Sequence, residues 1–210
     1  VLGPTNCKYS ADYPGVMQAR VEERLKGVQC MFVQGAAGDI NPLAMARSGK
    51  EDDDFLVVRK MGEALAAEVL RAARRIPPGA PNRDIIRYAT RTLRFQERWE
   101  AGKSLEFGIT TVLLNREIAI AATPGETLHR LQKQWKTQAD VPHALFYGYT
   151  WSAVDRWPGY IPDIRSAAYG GYGADRNTTI EVGAGERIVQ QHLIQLYQLL
   201  GMWQDKPGTQ

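Results

Sequence analysis

Hydrophobic positions along the first half of the chain follow helical and strand periods in turn. A helical spacing over 16–26 is closed by Gly27, and a longer one over 56–75 places aliphatic side chains on one face. The continuous apolar run 28–34 predicts a buried strand, and the alternation over 84–95 predicts a half-buried one. The mixture of both periods predicts an α/β protein.

The second half of the chain continues the alternation. Two strands over 105–123 are predicted to turn at Asn115-Arg116. The remaining predicted elements are a helix that opens at 123–126 and runs to about Lys136, a strand over 144–150, an irregular Gly- and Tyr-rich stretch over 151–182, and a helix over 183–203. We predict mixed β-sheets flanked by helices, forming one α/β domain or part of one over 1–204, with a polar tail at 205–210.

Composition and charge exclude several classes of protein. The 210 residues carry 26 Lys+Arg against 23 Asp+Glu, a net charge of +3 that is too small and dispersed to predict a nucleic-acid partner. No apolar run approaches the roughly 20 residues of a membrane-spanning helix.

Two cysteines are too few for a disulfide framework. Cys7 and Cys30 either pair or, as the apolar surroundings of Cys30 favour, stay as thiols. The acidic stretch 48–55 predicts a solvated loop. Because the chain begins with Val1 and not Met, we expect a segment of a longer or processed product.

The loop GAAGDINP at 35–42 is the first candidate for chemistry. Its glycines allow close backbone approach to a ligand, and Asp39 could orient a base or a metal ligand. It is not a P-loop, because no Gly-Lys-Ser/Thr follows. A plain turn is the structural alternative.

The TPGE sequence at 123–126 is the second candidate. A carboxylate between a strand and the first turn of a helix suits either metal ligation or helix capping, so Glu126 has two interpretations. His129 follows it at helical spacing as a weak E-x-x-H pair. His143 and His192 are expected in packing or surface roles, since three histidines this far apart do not predict a three-His zinc site.

Tyrosines among glycines form the third candidate, in GYIPD at 159–163 and YGGYG at 169–173. Such loops either line a pocket or have no function, and the residues alone do not decide between the two.

The order and spacing of these motifs is more specific than any one of them. SADYPG, FVQGAAGDINP, ATPGE, GYIP and GGYG, in that order, resemble the neutral/alkaline ceramidase family, and most closely its bacterial ceramidase-like branch of uncertain substrate. The resemblance implies a zinc-dependent amidohydrolase that cleaves the N-acyl amide bond of ceramide or a related lipid amide. The chain corresponds to the C-terminal half of that catalytic domain, so the isolated segment is expected to be inactive. Members of the family are usually exported, which implies a secreted or periplasmic protein.

The resemblance also implies roles for individual residues. Glu126 and Tyr160 correspond to zinc ligands, and Tyr172, twelve residues after Tyr160, to the tyrosine that stabilises the oxyanion. Asp39 and Asn41 shape the site. Asn41 stands where ceramidases have serine in Gly-Asp-x-Ser-Pro, and an amide is no nucleophile but still donates a hydrogen bond. The two histidine ligands of the zinc are expected upstream of Val1.

Two other functions remain open at this point. One is a non-catalytic module of the same fold that binds lipid or glycan through aromatic side chains: Trp151, Trp157, Tyr160, Tyr169 and Tyr172. The other is a zinc hydrolase of a different amide or an ester.

Overall fold

The computed structural model describes residues 1–3, 6–46, 48, 50–76, 85–152 and 157–203. The chain divides into two compact units, one made of Val1–Val33 and Asn41–Ala80 and the other of Gln34–Ile40 and Pro81–Gln210. The predicted polar tail lies outside the described residues.

Two helices that pack on each other build the first unit, α1 (Asp12–Arg24) and α2 (Glu51–Ala73). They approach closely at Gly62, where an added Cβ would lie 2.5 Å from the Cβ of Val16. A small apolar cluster fills the interface, with Met17, Val21 and Ala66 at its buried centre. Both helices were expected from the hydrophobic spacing, and each begins earlier than that spacing predicts.

The acidic stretch 48–55 is not the solvated loop that its charge predicts. From Glu51 onward it forms the first turn of α2, where the helix dipole favours negative side chains. Asp54 is 3% exposed and accepts hydrogen bonds from the backbone N–H and the hydroxyl of Ser48, at 3.0 and 2.7 Å.

The prediction of a buried strand over 28–34 is wrong. The segment is irregular and mostly exposed. Side chains of α1 bind the backbone of Cys30 where a neighbouring strand would: Gln18 donates to its carbonyl at 2.6 Å, and its N–H donates to Glu22 at 2.8 Å. No disulfide joins Cys7 to Cys30; the Cys30 thiol lies 3.7 Å from the sulfur of Met17.

The second unit is built on a four-stranded sheet and a small two-stranded one. The strands are β1 (Ile86–Gln96), β2 (Ser104–Leu114), β3 (Ile118–Ala122), β4 (Glu126–Thr127), β5 (His143–Tyr147) and β6 (Tyr160–Ile161). The larger sheet has the order β1-β2-β3-β5, antiparallel except for the parallel β3–β5 pair, and β4 pairs with β6. Asn115 and Arg116 form the predicted tight turn, with φ of +52° and +64°.

Two helices, α3 (His129–Gln138) and α5 (Ala184–Leu199), pack against the larger sheet. The short helix α4 (Ile164–Tyr169) lies next to a π-helical turn that spans Tyr172–Arg176. Alternate residues of β2 are buried in the core: Leu105, Phe107, Ile109, Thr111 and Leu113. They share that core with apolar side chains of α3 and α5. The prediction of mixed sheets flanked by helices is therefore confirmed.

A fully buried imidazole, His192 of α5, ties this helix to the sheet. Its two nitrogens lie 2.8 Å from the hydroxyl oxygen of Thr111 and 2.9 Å from that of Thr123. Thr111 donates its own proton to Gln195 at 2.9 Å, so its oxygen accepts from Nδ1–H of the imidazole. Nε2 is then the acceptor for the hydroxyl of Thr123. With this assignment both ring nitrogens of the neutral imidazole have a hydrogen-bond partner.

This arrangement makes stability depend on pH. Burial lowers the pKa of His192 from 6.5 to about 3. The unfolded chain therefore binds a proton that the folded chain does not, so the stabilising contribution is complete above pH 6.5 and is lost as the pH falls toward 3. We expect this residue alone to reduce the free energy of unfolding by roughly 1.4 kcal/mol per pH unit over that interval.

Urea unfolding at several pH values between 7 and 4 measures the effect. At pH 7, His192→Gln should unfold at a lower urea concentration than the wild type. Its free energy of unfolding should also depend less steeply on pH. His143→Gln, which changes an exposed histidine of the same unit, should keep the wild-type dependence. Equal slopes for wild type and His192→Gln would contradict the assignment.

Candidate functional site

The short β4–β6 pair brings two of the predicted zinc ligands together. Glu126 lies directly opposite Tyr160 in a parallel register. The N–H of Glu126 donates to the carbonyl of Gly159 at 2.9 Å, and that of Leu128 to Ile161 at 3.1 Å. Because α3 begins only at His129, Glu126 is not in the first turn of a helix, and both helical interpretations, capping and the E-x-x-H face, are wrong.

Close packing at Gly125 holds the two short strands together. Its φ is +90°, and an added Cβ would lie 2.7 Å from Pro158 and 2.8 Å from the carbonyl oxygen of Gly159. Only glycine combines this backbone conformation with that approach. The Pro-Gly of TPGE therefore brings the backbone before Glu126 against the backbone before Tyr160.

The loop after β5 forms another wall of the site. Its backbone is bound to the TPGE turn, since Tyr149 N–H donates to the Gly125 carbonyl at 3.0 Å and Thr150 N–H to the Thr123 carbonyl at 3.3 Å. Tyr149 itself has a φ of +57° and donates its phenolic hydrogen to Oε2 of Glu126 at 3.0 Å. Tyr149 was not predicted as a site residue, because neither its neighbours nor its spacing in the sequence marks it.

Both phenols beside Glu126 are held in the protonated form. The pKa of Tyr149 is raised to about 12, chiefly by burial and then by the hydrogen bond to Glu126 and its charge. The pKa of Tyr160 is raised by the same causes in the same order. The carboxylate of Glu126 therefore lies beside two neutral phenols, of which Tyr149 donates a hydrogen bond to it.

Aromatic rings surround this carboxylate in two pairs. Tyr172 meets Tyr160 edge to face with ring centroids 5.8 Å apart, and Trp157 lies 5.9 Å from Tyr149. Tyr172 is 72%, Trp157 52% and Tyr149 42% exposed, so both pairs are open to solvent. We call these four side chains, Tyr149, Trp157, Tyr160 and Tyr172, the aromatic cluster.

Asp39 binds His129 at the start of α3. Its carboxylate accepts from the backbone N–H of His129 at 2.7 Å and lies 2.5 Å from Nδ1 of the same residue. The helix-capping role expected of Glu126 is therefore filled by Asp39. The loop carrying it is fixed next to β4, since the Gly38 N–H donates to the Thr127 carbonyl at 3.0 Å. Asn41 is exposed and belongs to the other unit.

The remaining tyrosine-loop residues have structural contacts. Asp163 is 5% exposed and caps α4 by accepting from the Ser166 N–H at 3.1 Å. Tyr169 is 80% exposed and stacks with the guanidinium of Arg165. Of the three predicted tyrosines, the structure thus places Tyr160 opposite Glu126 and Tyr172 against the ring of Tyr160.

No complete metal-binding group is present in the part of the chain that the structure describes. Within it, no three His, Cys, Asp or Glu side chains are placed to hold a metal ion. Glu126 and Tyr160 supply a carboxylate and a phenolic oxygen, which fit two positions of a four-coordinate zinc ion.

Among the described helices, none has the length and hydropathy needed to span a bilayer.

Comparison with known proteins identifies the fold. No protein-family model and no curated protein matches the sequence. Among solved structures, neutral ceramidase from Pseudomonas aeruginosa matches with a TM-score of 0.65 and 14% identity, over 96% of this chain and 42% of that one. A ceramidase complexed with C2 matches with a TM-score of 0.68 and 10% identity, over 98% and 44%. The chain has a ceramidase-like fold and spans less than half the length of those proteins.

The packing at Gly125 gives a direct test of how the site is assembled. Gly125→Ala should destabilise the protein by about 3 kcal/mol or more, from positive-φ strain of roughly 1–2 kcal/mol together with the displacement of Pro158 and Gly159. Gly102 is the matched control, since its φ is +79° and an added Cβ meets nothing within 4 Å. Gly102→Ala should therefore cost only the strain, and urea unfolding measures both. Equal costs at the two positions would contradict the close approach.

Proposed function

We propose that this chain is part of a zinc-dependent hydrolase that cleaves the N-acyl amide bond of ceramide or a related lipid amide. The main support is the meeting of Glu126 and Tyr160 across the β4–β6 pair, in a chain with a ceramidase-like fold. These are the two side chains that the resemblance to ceramidases matches to zinc ligands. The activity of those ceramidases comes to this chain only as part of this proposal.

Glu126 and Tyr160 would hold the zinc ion through one oxygen each. When bound, such an ion supplies a Lewis acid and lowers the pKa of a coordinated water toward 7. Two protein donors are too few for a catalytic zinc, so we propose that two histidines from outside these 210 residues complete the site. The 210-residue chain by itself would then be inactive.

The exposed phenol of Tyr172 would act on the substrate. Its ring lies against Tyr160, and its hydroxyl would hydrogen-bond the amide oxygen as negative charge develops there. Asp39 keeps its proposed role of shaping the site, through its contact with His129. The role of Asn41 in shaping the site stays a prediction.

Exposed aromatic side chains support one alternative function. The open rings of Trp157 and Tyr172 would also serve a non-catalytic module that binds lipid or glycan by stacking. A zinc hydrolase of another amide or an ester is a variant of the main proposal. In either enzymatic case we propose a secreted or periplasmic location.

Zinc content tests the proposal. The protein extended upstream to its natural start should contain about one zinc per chain and release fatty acid and amine from an N-acyl sphingoid base, whereas the 210-residue chain should do neither. In the extended protein, Glu126→Gln should abolish both zinc and activity, and Glu117→Gln, at an exposed turn, should change neither.

Any other result of these measurements would contradict one part of the proposal. Unchanged zinc in Glu126→Gln would reject the ligand assignment. Zinc without release from ceramide, but with release from other amides or esters, would reject the substrate. Absence of zinc from both the extended protein and the 210-residue chain would reject the proposal of a zinc hydrolase and favour the non-catalytic binding module.

A further inference from the structure

We propose that Tyr149 is a positioning residue for Glu126, fixing the carboxylate so that a single oxygen is presented to the metal ion. This inference rests on the proposed function and concerns a residue that the resemblance to ceramidases does not include. It follows from one hydrogen bond, from the different chemical fates of two phenols, and from the backbone that carries Tyr149.

The hydrogen bond divides the carboxylate into two unlike oxygens. Oε2 of Glu126 accepts the phenolic hydrogen of Tyr149 at 3.0 Å. A cation that binds Glu126 through Oε1 leaves this bond in place, whereas a bidentate arrangement would compete with it. Carboxylate ligands of metals are commonly held in this way by a second hydrogen-bonding group, which fixes their orientation.

The two phenols beside Glu126 differ in what metal binding would do to them. Tyr160, as a ligand, gives up its phenolic proton and with it the ability to donate to Glu126. Tyr149 has no such role, and its hydroxyl is bonded to Oε2 of Glu126. Tyr149 would therefore continue to hold Glu126 when Tyr160 binds the metal.

The backbone at Tyr149 is built to hold this ring in one place. A φ of +57° is costly for a tyrosine, and such strain persists only where surrounding contacts fix it. Those contacts are the hydrogen bonds from Tyr149 and Thr150 to the TPGE turn and from the Gly148 N–H to the Gln34 carbonyl at 3.0 Å. Trp157 packs on the ring from the open side. The phenol is thus preorganised for the carboxylate.

Zinc affinity in the protein extended upstream to its natural start tests the inference. Tyr149→Phe removes the hydroxyl and keeps the ring, and should weaken zinc binding 10- to 100-fold in competition with a chelator. At saturating zinc, the increase in absorbance near 295 nm from ionised Tyr160 should remain. Tyr197→Phe is the matched control, because it deletes a phenol that donates to the Gln138 carbonyl at 2.8 Å away from the site. It should leave zinc affinity unchanged.

The outcomes separate this inference from the proposed function. Wild-type affinity in Tyr149→Phe, with zinc lost in Glu126→Gln, overturns the role of Tyr149 and leaves the ligand assignment intact. An equal loss in Tyr149→Phe and Tyr197→Phe overturns it as well, by showing a general effect on the fold. Failure of the wild type to bind zinc overturns both proposals together.

Discussion

The second unit depends on a buried hydrogen-bond chain that passes through the imidazole of His192. Its polar atoms are out of contact with water, so each must find a partner within the fold. One arrangement satisfies them, from the Thr123 hydroxyl through the ring to Thr111 and Gln195. This arrangement fixes α5 against β2 and fixes the end of β3. Thr123 is also the first residue of TPGE, so the position of Glu126 is set from the core outward.

The candidate site is assembled at the end of β3, where neighbouring backbone segments lie close to one another. Gly125 lets the turn lie against the backbone before Tyr160, and the loop of Tyr149 is bound to the same turn. The result is a carboxylate between two neutral phenols, each backed by a more exposed aromatic ring. A carboxylate in such a setting is oriented but still reachable, as a metal ligand must be.

The sequence predicted the parts of this fold that local patterns control. The strands β2 and β3 with their turn at Asn115-Arg116 were predicted correctly, because alternation and turn chemistry are local. The run 28–34 was not, because an apolar run does not reveal that the side chains of Gln18 and Glu22 will bind its backbone.

At the candidate site, too, the sequence predicted which residues matter but not the long-range contacts that position them. Motif order pointed to Glu126, Tyr160 and Tyr172, and the structure places Tyr160 opposite Glu126 and in ring contact with Tyr172. The sequence placed Glu126 at a helix start, because it does not show that Asp39, distant in the chain, binds the first turn of α3 instead. Tyr149 was missed because its role arises from a positive φ and from contacts that only the fold creates.

The most direct measurement is anomalous X-ray scattering at the zinc absorption edge, from crystals of the protein extended upstream to its natural start. If Glu126 and Tyr160 are zinc ligands, an anomalous peak should lie about 2.0–2.2 Å from a carboxylate oxygen of Glu126 and close to the phenolic oxygen of Tyr160. An occupied zinc peak bound by other side chains, with Glu126 and Tyr160 away from the ion, would contradict the assignment.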